Sequence, residues 1–212
     1  MEQVSATRSE LLARRARIGL AAQGRDLLKE RRSALVQEFH RLGASALESM
    51  DDLDRDAADA SRQLGIAVAA AGSEPVDSAA FGAQGEIEVN VRTRSVAGVP
   101  IVEIDRGTVA RTRTGRGFSL TATSTRIDSV AERFETVLER LLDVAALELS
   151  VRRLAAEISR TTRRMNALEH VVLPRLESER AHIALVLEER AMEDRVRLRR
   201  IRARDQRKEG PP

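Results

Sequence analysis

From Leu28 onward, apolar or small residues recur at Leu28, Leu35, Phe39, Leu42, Ala46, Leu53, Ala57, Ala60 and Leu64. The intervals are sevens, fours and threes, the spacing of one helix face laid along a seam. A single helix is predicted over about residues 5–70. Thr7 or Ser9 can cap its start, and Glu10 stands three residues after Thr7 in capping-box spacing. Gly19, Gly24 and Gly43 lower its propensity by ~1 kcal/mol each relative to Ala. They are expected to let a neighbouring backbone approach closely.

The texture changes over about residues 71–125. "AAGSEPVD" breaks the helix at Gly72 and Pro75. "EIEVNVR" alternates Ile87, Val89 and Val91 in strand rhythm, and "VPIVEID" reads as a second short strand after the turn-like "SVAG". "RTRTGRG" reads as a loop and "FSLTATSTR" as extended. The segment is predicted to hold a small β-hairpin. It has too few large apolar groups to stand alone as a domain.

Helix rhythm returns over about residues 126–212. Val151, Leu154, Ile158, Thr161, Met165, Leu168 and Val172 follow strict three-four spacing. The seam then steps by four to Leu176 and continues through Ile183 and Leu187. A four directly after a four is a stutter, which locally unwinds a supercoil. Pro174 lies inside it. An interior proline removes a helix hydrogen bond and presses on the carbonyl four residues back, that of His170, so a kink is expected there.

The fold class predicted is mainly α: a long antiparallel two-helix coiled coil, or helical hairpin, with a small β-hairpin element at the turn. Residues 1–70, 71–125 and 126–212 form one elongated domain in this reading. If residue 70 lies beside residue 127, residue 8 lies near 189. Residues past about 195 then project as a single tip. The seam is assigned to Leu28, Leu35, Phe39 and Leu42 on the first helix and to Leu154, Ile158, Met165 and Leu168 on the second.

Composition fits this picture. Only 2% of the 212 residues are aromatic, all Phe, while 33% are charged. A narrow helix seam needs no aromatic bulk. There is no cysteine, which excludes disulfides, thiolate metal sites and Cys nucleophiles. The segment "MEQVSATRSELLARRARIG" has no apolar signal core, and no run approaches the ~18 apolar residues that span a bilayer. A cytoplasmic location without direct membrane insertion is expected.

The formal net charge of +3 hides a strong asymmetry. Residues 8–32 carry eight basic and three acidic groups, and residues 195–208 carry eight basic and one acidic. Residues 38–59 carry two basic and seven acidic, and 132–148 two and five. In an antiparallel hairpin both basic blocks fall at the free end. Such a tip fits a partner of complementary potential or a nucleic acid. It also fits a solvated helix end favoured by the macrodipole. No aromatic platform for single strands and no helix-turn-helix or zinc module accompanies it.

No catalytic constellation is found. "GTVARTRTGRGF" lacks the GK[ST] ending that grips phosphate and magnesium. His40, His170 and His182 form no dense ligand spacing. Asn166, Glu169 and His170 read as polar surface beside a seam. No enzyme activity, cofactor or metal is expected.

The blocks "GRDLLKERRSALV" (24–36), "TTRRMNALEHVVLPRLE" (161–177) and "EERAMEDRVRLRRIR" (188–202) closely resemble the D subunits of the V-type and archaeal-type rotary ATPases. "VAGVPIVEI" at 96–104 is similar to that family's Val-Pro turn. The resemblance covers both helices in order. It implies a non-catalytic central rotor axle carrying torque between a catalytic hexamer and a membrane ion ring. Implied partners are the catalytic A and B subunits, the small F subunit, and the membrane-proximal socket subunit (C or d), with no direct nucleotide and no nucleic acid. Arg8, Arg14, Arg15, Arg195, Arg199, Arg200 and Arg202 would face the bore of the hexamer. The competing reading is a coiled-coil adaptor or nucleic-acid-associated structural protein.

Overall fold

The computed structural model describes residues 5–83, 85–106, 109–119 and 123–208. The elements are α1 (Arg8–Ala71), α2 (Ser73–Gly82), β1 (Val89–Val96), β2 (Val99–Arg106), a 3-10 turn (Arg113–Arg116), α3 (Thr125–Ala167), a π turn (Leu168–Val172) and α4 (Leu173–Lys208). The protein is mainly α, two long helical stretches with a two-stranded antiparallel hairpin between them in sequence. Its chain divides into two compact units, Met1–Arg32 with Arg160–Pro212, and Ser33–Ser159.

In the first unit, Thr7 caps α1. The Glu10 amide donates to the Thr7 hydroxyl at 3.2 Å, satisfying one of the donors that a helix start leaves open. The N-terminal and C-terminal segments run antiparallel. The Arg190 guanidinium donates to the Ala6 carbonyl at 3.1 Å, Arg14 meets Glu179 at 3.3 Å, and Gly24 faces Leu168. Thr161, Leu173 and Ile183 are buried, and Leu28, Met165 and Leu168 are half-buried. The expected close backbone approach is not found at Gly24, where a Cβ would meet only a Leu168 side-chain carbon at 3.9 Å, an ordinary contact. A Cβ at Gly19 or Gly43 would meet nothing within 4 Å, so those two face open space instead.

The π turn answers the stutter around Pro174. The Leu173 amide donates to the carbonyl of Leu168, five residues back, where an α-helix would use Glu169. The backbone on both sides is ordinary α: Ala167 has φ −63° and ψ −41°, and Leu173 has φ −61° and ψ −51°. Proline offers no N–H, and the wider turn accommodates that loss within a continuous helical stretch. The seam therefore passes from Leu168 to Leu173 in one step of five. Leu173 is 8% exposed and Val172 is 37% exposed, so the expected inward position at Val172 is displaced by one residue.

In the second unit, α1 and α3 also run antiparallel. Arg133 pairs with Asp59, and Arg140 lies 3.4 Å from Asp56 and 3.9 Å from Asp52. Buried Ala60, Ala67 and Ala146 keep the helices thin along this stretch. Leu35, Leu42 and Leu154 form a core with Val99 and Ile101 of β2, and Phe39, Leu147, Val151 and Ile158 pack around it. The seam here is thus roofed by the hairpin, which helix periodicity alone does not reveal.

The hairpin turns on two residues of positive φ, Ala97 (48°) and Gly98 (81°), the backbone that the right-handed twist of paired strands favours. Val96 pairs with Val99 and Val89 with Arg106. β2 is fixed to α3 by the buried Ser150 hydroxyl, which contacts both the amide (3.0 Å) and the carbonyl (3.2 Å) of Val102. Arg153 donates to the Pro100 carbonyl at 3.2 Å.

Three local expectations change. Gly72, at φ 84°, ends α1 as expected, but "SEPVDSAAFG" immediately forms α2, with Pro75 tolerated in the first turn. Thr125 and Arg126 are helical: the Arg126 amide donates to the Ser124 hydroxyl at 3.3 Å, and Ser124 starts α3. Positions 120–122 of the expected extended segment lie outside the described residues. The arginine-rich loop contains the ordered 3-10 turn, described next.

Candidate interaction surfaces

The first surface lies at the end of the first unit. Arg190 is the last residue of α4 seen to reach the N-terminal segment, and every residue from Ala191 to Arg204 is exposed. Arg195, Arg199, Arg200 and Arg202 are exposed and have no ion pair among the described residues. Arg8 and Arg15 on α1 share that state. Arg14 does not. It lies 3.1 Å from Glu10 and 3.3 Å from Glu179 and is only 14% exposed, so its charge is already matched inside the unit. The contact of Arg190 with Ala6 sets Arg8 and the start of the cationic run at the same end of this unit. Met192, Val196, Leu198 and Ile201 are exposed between those cations. Exposed apolar groups interleaved with cations are the kind of surface that partners commonly cover.

Asn166, Glu169 and His170 are all exposed around the π turn. Among the described residues no cluster of His, Cys, Asp and Glu could hold a metal ion.

The second unit carries two charge clusters. Glu38 accepts from Arg41 at 2.7 and 2.9 Å and from Arg94 of β1 at 3.2 Å. Its carboxyl is held below the ordinary range by the Arg41 hydrogen bond first, against partial desolvation, with help from the charges of Arg41 and Arg94. This links α1 to the hairpin. Otherwise β1 is exposed along nearly its whole length.

The other cluster was not legible as such. Arg116, in the 3-10 turn, is 3% exposed. It holds Glu135 with two hydrogen bonds of 2.9 Å and also bonds Asp128, while Glu132 stands 3.8 Å away. Those hydrogen bonds, to Glu135 first, raise its pKa in spite of burial. The available signal was Asp128, Glu132 and Glu135, spaced four and three apart on one face of a predicted helix, opposite a lone arginine loop. Gly117 follows with φ 81°. A Cβ there would stand 2.2 Å from the Gly82 carbonyl oxygen, so only glycine lets the 3-10 turn close against the end of α2.

These features define a class: a two-long-helix protein with a docked two-stranded hairpin. The family profile for ATP synthase D subunits matches residues 10–203. The chain is 36% identical over 201 residues to the A-type ATP synthase D subunit of Pyrococcus furiosus, covering 95% of this chain and 94% of that one. It is 35% identical over 203 residues to that of Archaeoglobus fulgidus (95% and 97%) and 33% over 204 residues to that of Methanoregula boonei (96% and 98%). The chain belongs to the family of ATP synthase D subunits. No helix among the described residues is long and apolar enough to cross a membrane.

Proposed function

We propose that this chain is the non-catalytic central axle of an A-type rotary ATP synthase, peripheral to the membrane on the cytoplasmic side. In this reading the tip formed by Arg8, Arg15, Arg195, Arg199, Arg200 and Arg202 enters the bore of the catalytic A and B subunits. The second unit meets the small F subunit and the socket subunit on the ion ring. Family membership across nearly the whole chain carries the reading. The exposed, unmatched cations of α4 support it, because complementary potentials steer and orient a partner.

The mechanism is conformational coupling. An axle with a non-threefold cross-section makes different contacts with each of three otherwise equal catalytic sites. Those differential contacts bias each site toward a different state, and rotation passes the bias on in turn. Arg14, already paired, acts in holding the two segments together. The chain itself supplies no cofactor chemistry in this scheme.

Co-expression with the neighbouring ATP synthase subunits tests it. The expected result is one copy per purified complex and ATP hydrolysis that changes when the chain is omitted. A chain that purifies alone, or with nucleic acid released steeply by salt, would return the adaptor reading to first place.

A further inference from the structure

The second unit contains a cavity of about 360 Å³, walled by α1, α2 and α3 through Leu64, Val76, Ala79, Ile127, Val130 and Phe134. That volume lies in the range of small-molecule sites, and such sites combine apolar walls with a few placed polar groups. Three charged side chains line it: Arg111, Arg116 and Glu135. Arg116 and Glu135 are spent on each other.

Arg111 is different. Its Nη1 donates to the Ala83 carbonyl at 2.8 Å, and no carboxylate pairs with it among the described residues. Gly85 lies against it: a Cβ there would stand 2.3 Å from Nη2, so the guanidinium would have to shift. The half-buried guanidinium is thus seated on backbone, at an apolar cavity, without a carboxylate partner among the described residues. A desolvated charge lacking a partner is costly, and an anion would complete it. A bare inorganic anion would find few donors beyond Arg111 against the remaining walls. A ligand with an apolar body and one anionic end satisfies both halves of the site.

We propose that this cavity binds a small apolar monocarboxylate, of the size class of a medium-chain fatty acid. The carboxylate sits on Arg111 and the hydrocarbon lies between α2 and α3. The inference stands on this geometry and is independent of the axle reading. Bound there, the ligand would brace α2 against α3.

The test uses the full chain, titrated with octanoate and, separately, with the neutral isostere 1-octanol, followed by calorimetry and by amide NMR shifts. Saturable one-to-one binding of octanoate is expected, at least ~10-fold tighter than octanol, as a charge-assisted hydrogen bond gives. Arg111→Gln should bring octanoate down to the affinity of octanol. Gly85→Ala should do the same by displacing the guanidinium. Circular dichroism checks that both variants fold, and the octanoate-to-octanol ratio on the unaltered chain needs no variant. Absence of saturable binding overturns the proposal. So does equal affinity for the two ligands, or octanoate binding that survives both substitutions and therefore lies elsewhere.

Discussion

The two units solve the same problem with unequal means. The second has a core of Leu35, Leu42, Leu154, Val99 and Ile101, a hairpin tied down by Ser150, and a buried arginine matched by Asp128 and Glu135. The first has a thin seam through Thr161, Leu173 and Ile183, and then a helix whose cations and apolar groups face solvent together. The second unit also exposes Leu47, Ile66 and Phe81, so the contrast lies in its packed core and not in a closed surface. A region that leaves cations and apolar groups exposed together is shaped for something to cover it. Substitutions in the core of the second unit should therefore act on stability, and those at the exposed end of the first on the proposed association.

The sharpest test of that contrast is Leu154→Asp beside Arg199→Ala. Leu154 is 0% exposed, and a carboxylate there meets no partner, so a loss above about 4 kcal/mol is expected, enough to unfold the unit. Arg199→Ala should stay within ~0.5 kcal/mol. Thermal melts of both variants decide, and equal melting temperatures would erase the distinction.

Next in size is Arg116→Met. It removes the guanidinium that holds Glu135 with two hydrogen bonds, and breaking a buried pair costs about 3–5 kcal/mol. Faster amide exchange in α2 and the 3-10 turn than in α4 would locate the damage. A smaller effect of opposite sign is expected at Thr161. Its hydroxyl is buried and has no hydrogen-bond partner in the described structure. Thr161→Val should raise stability by about 1 kcal/mol, read from the urea midpoint.

The smallest effect is a pH dependence. The Glu38 carboxyl has a folded pKa below its ordinary 4.5. The unfolded state therefore binds the proton more readily, so stability from this group is full above that ordinary value and is lost as pH falls through the folded one. Glu38→Gln should flatten the acid limb of the melting-temperature profile slightly, and an unchanged profile would show that Arg41 and Arg94 do not hold this carboxyl below its ordinary range.

Much of this architecture was legible because long periodic helices advertise themselves. Thr7 as a cap, the break at Gly72 and the strands around "VAGV" follow from local chemistry. α2 was not legible, since ten residues with one buried alanine carry too little periodic signal and form a helix chiefly through packing. The role of Arg116 was hidden by distance in sequence: its partners lie 12 and 19 residues away. The exposed arginines of α4 could be read from charge alone. That Arg14 is bound internally required Glu179, far along the chain, to come into view. Val172 was misplaced for a different reason. Heptad counting assumes α geometry throughout, and one π turn suffices to upset it.

That turn has a practical consequence for anyone aligning or engineering this chain. Past residue 172, every side chain sits where a ruler of constant pitch would place its predecessor. Reporter groups assigned by repeat counting from α3 would land about 100° around the helix from their intended direction. A sequence gap of one residue at Leu168–Val172 between relatives need not disturb anything beyond it, because the wide turn can absorb or release a single residue while Leu173 and Ile183 keep their places. The feature is a local adjustment of frame, and through it the whole C-terminal segment inherits its orientation.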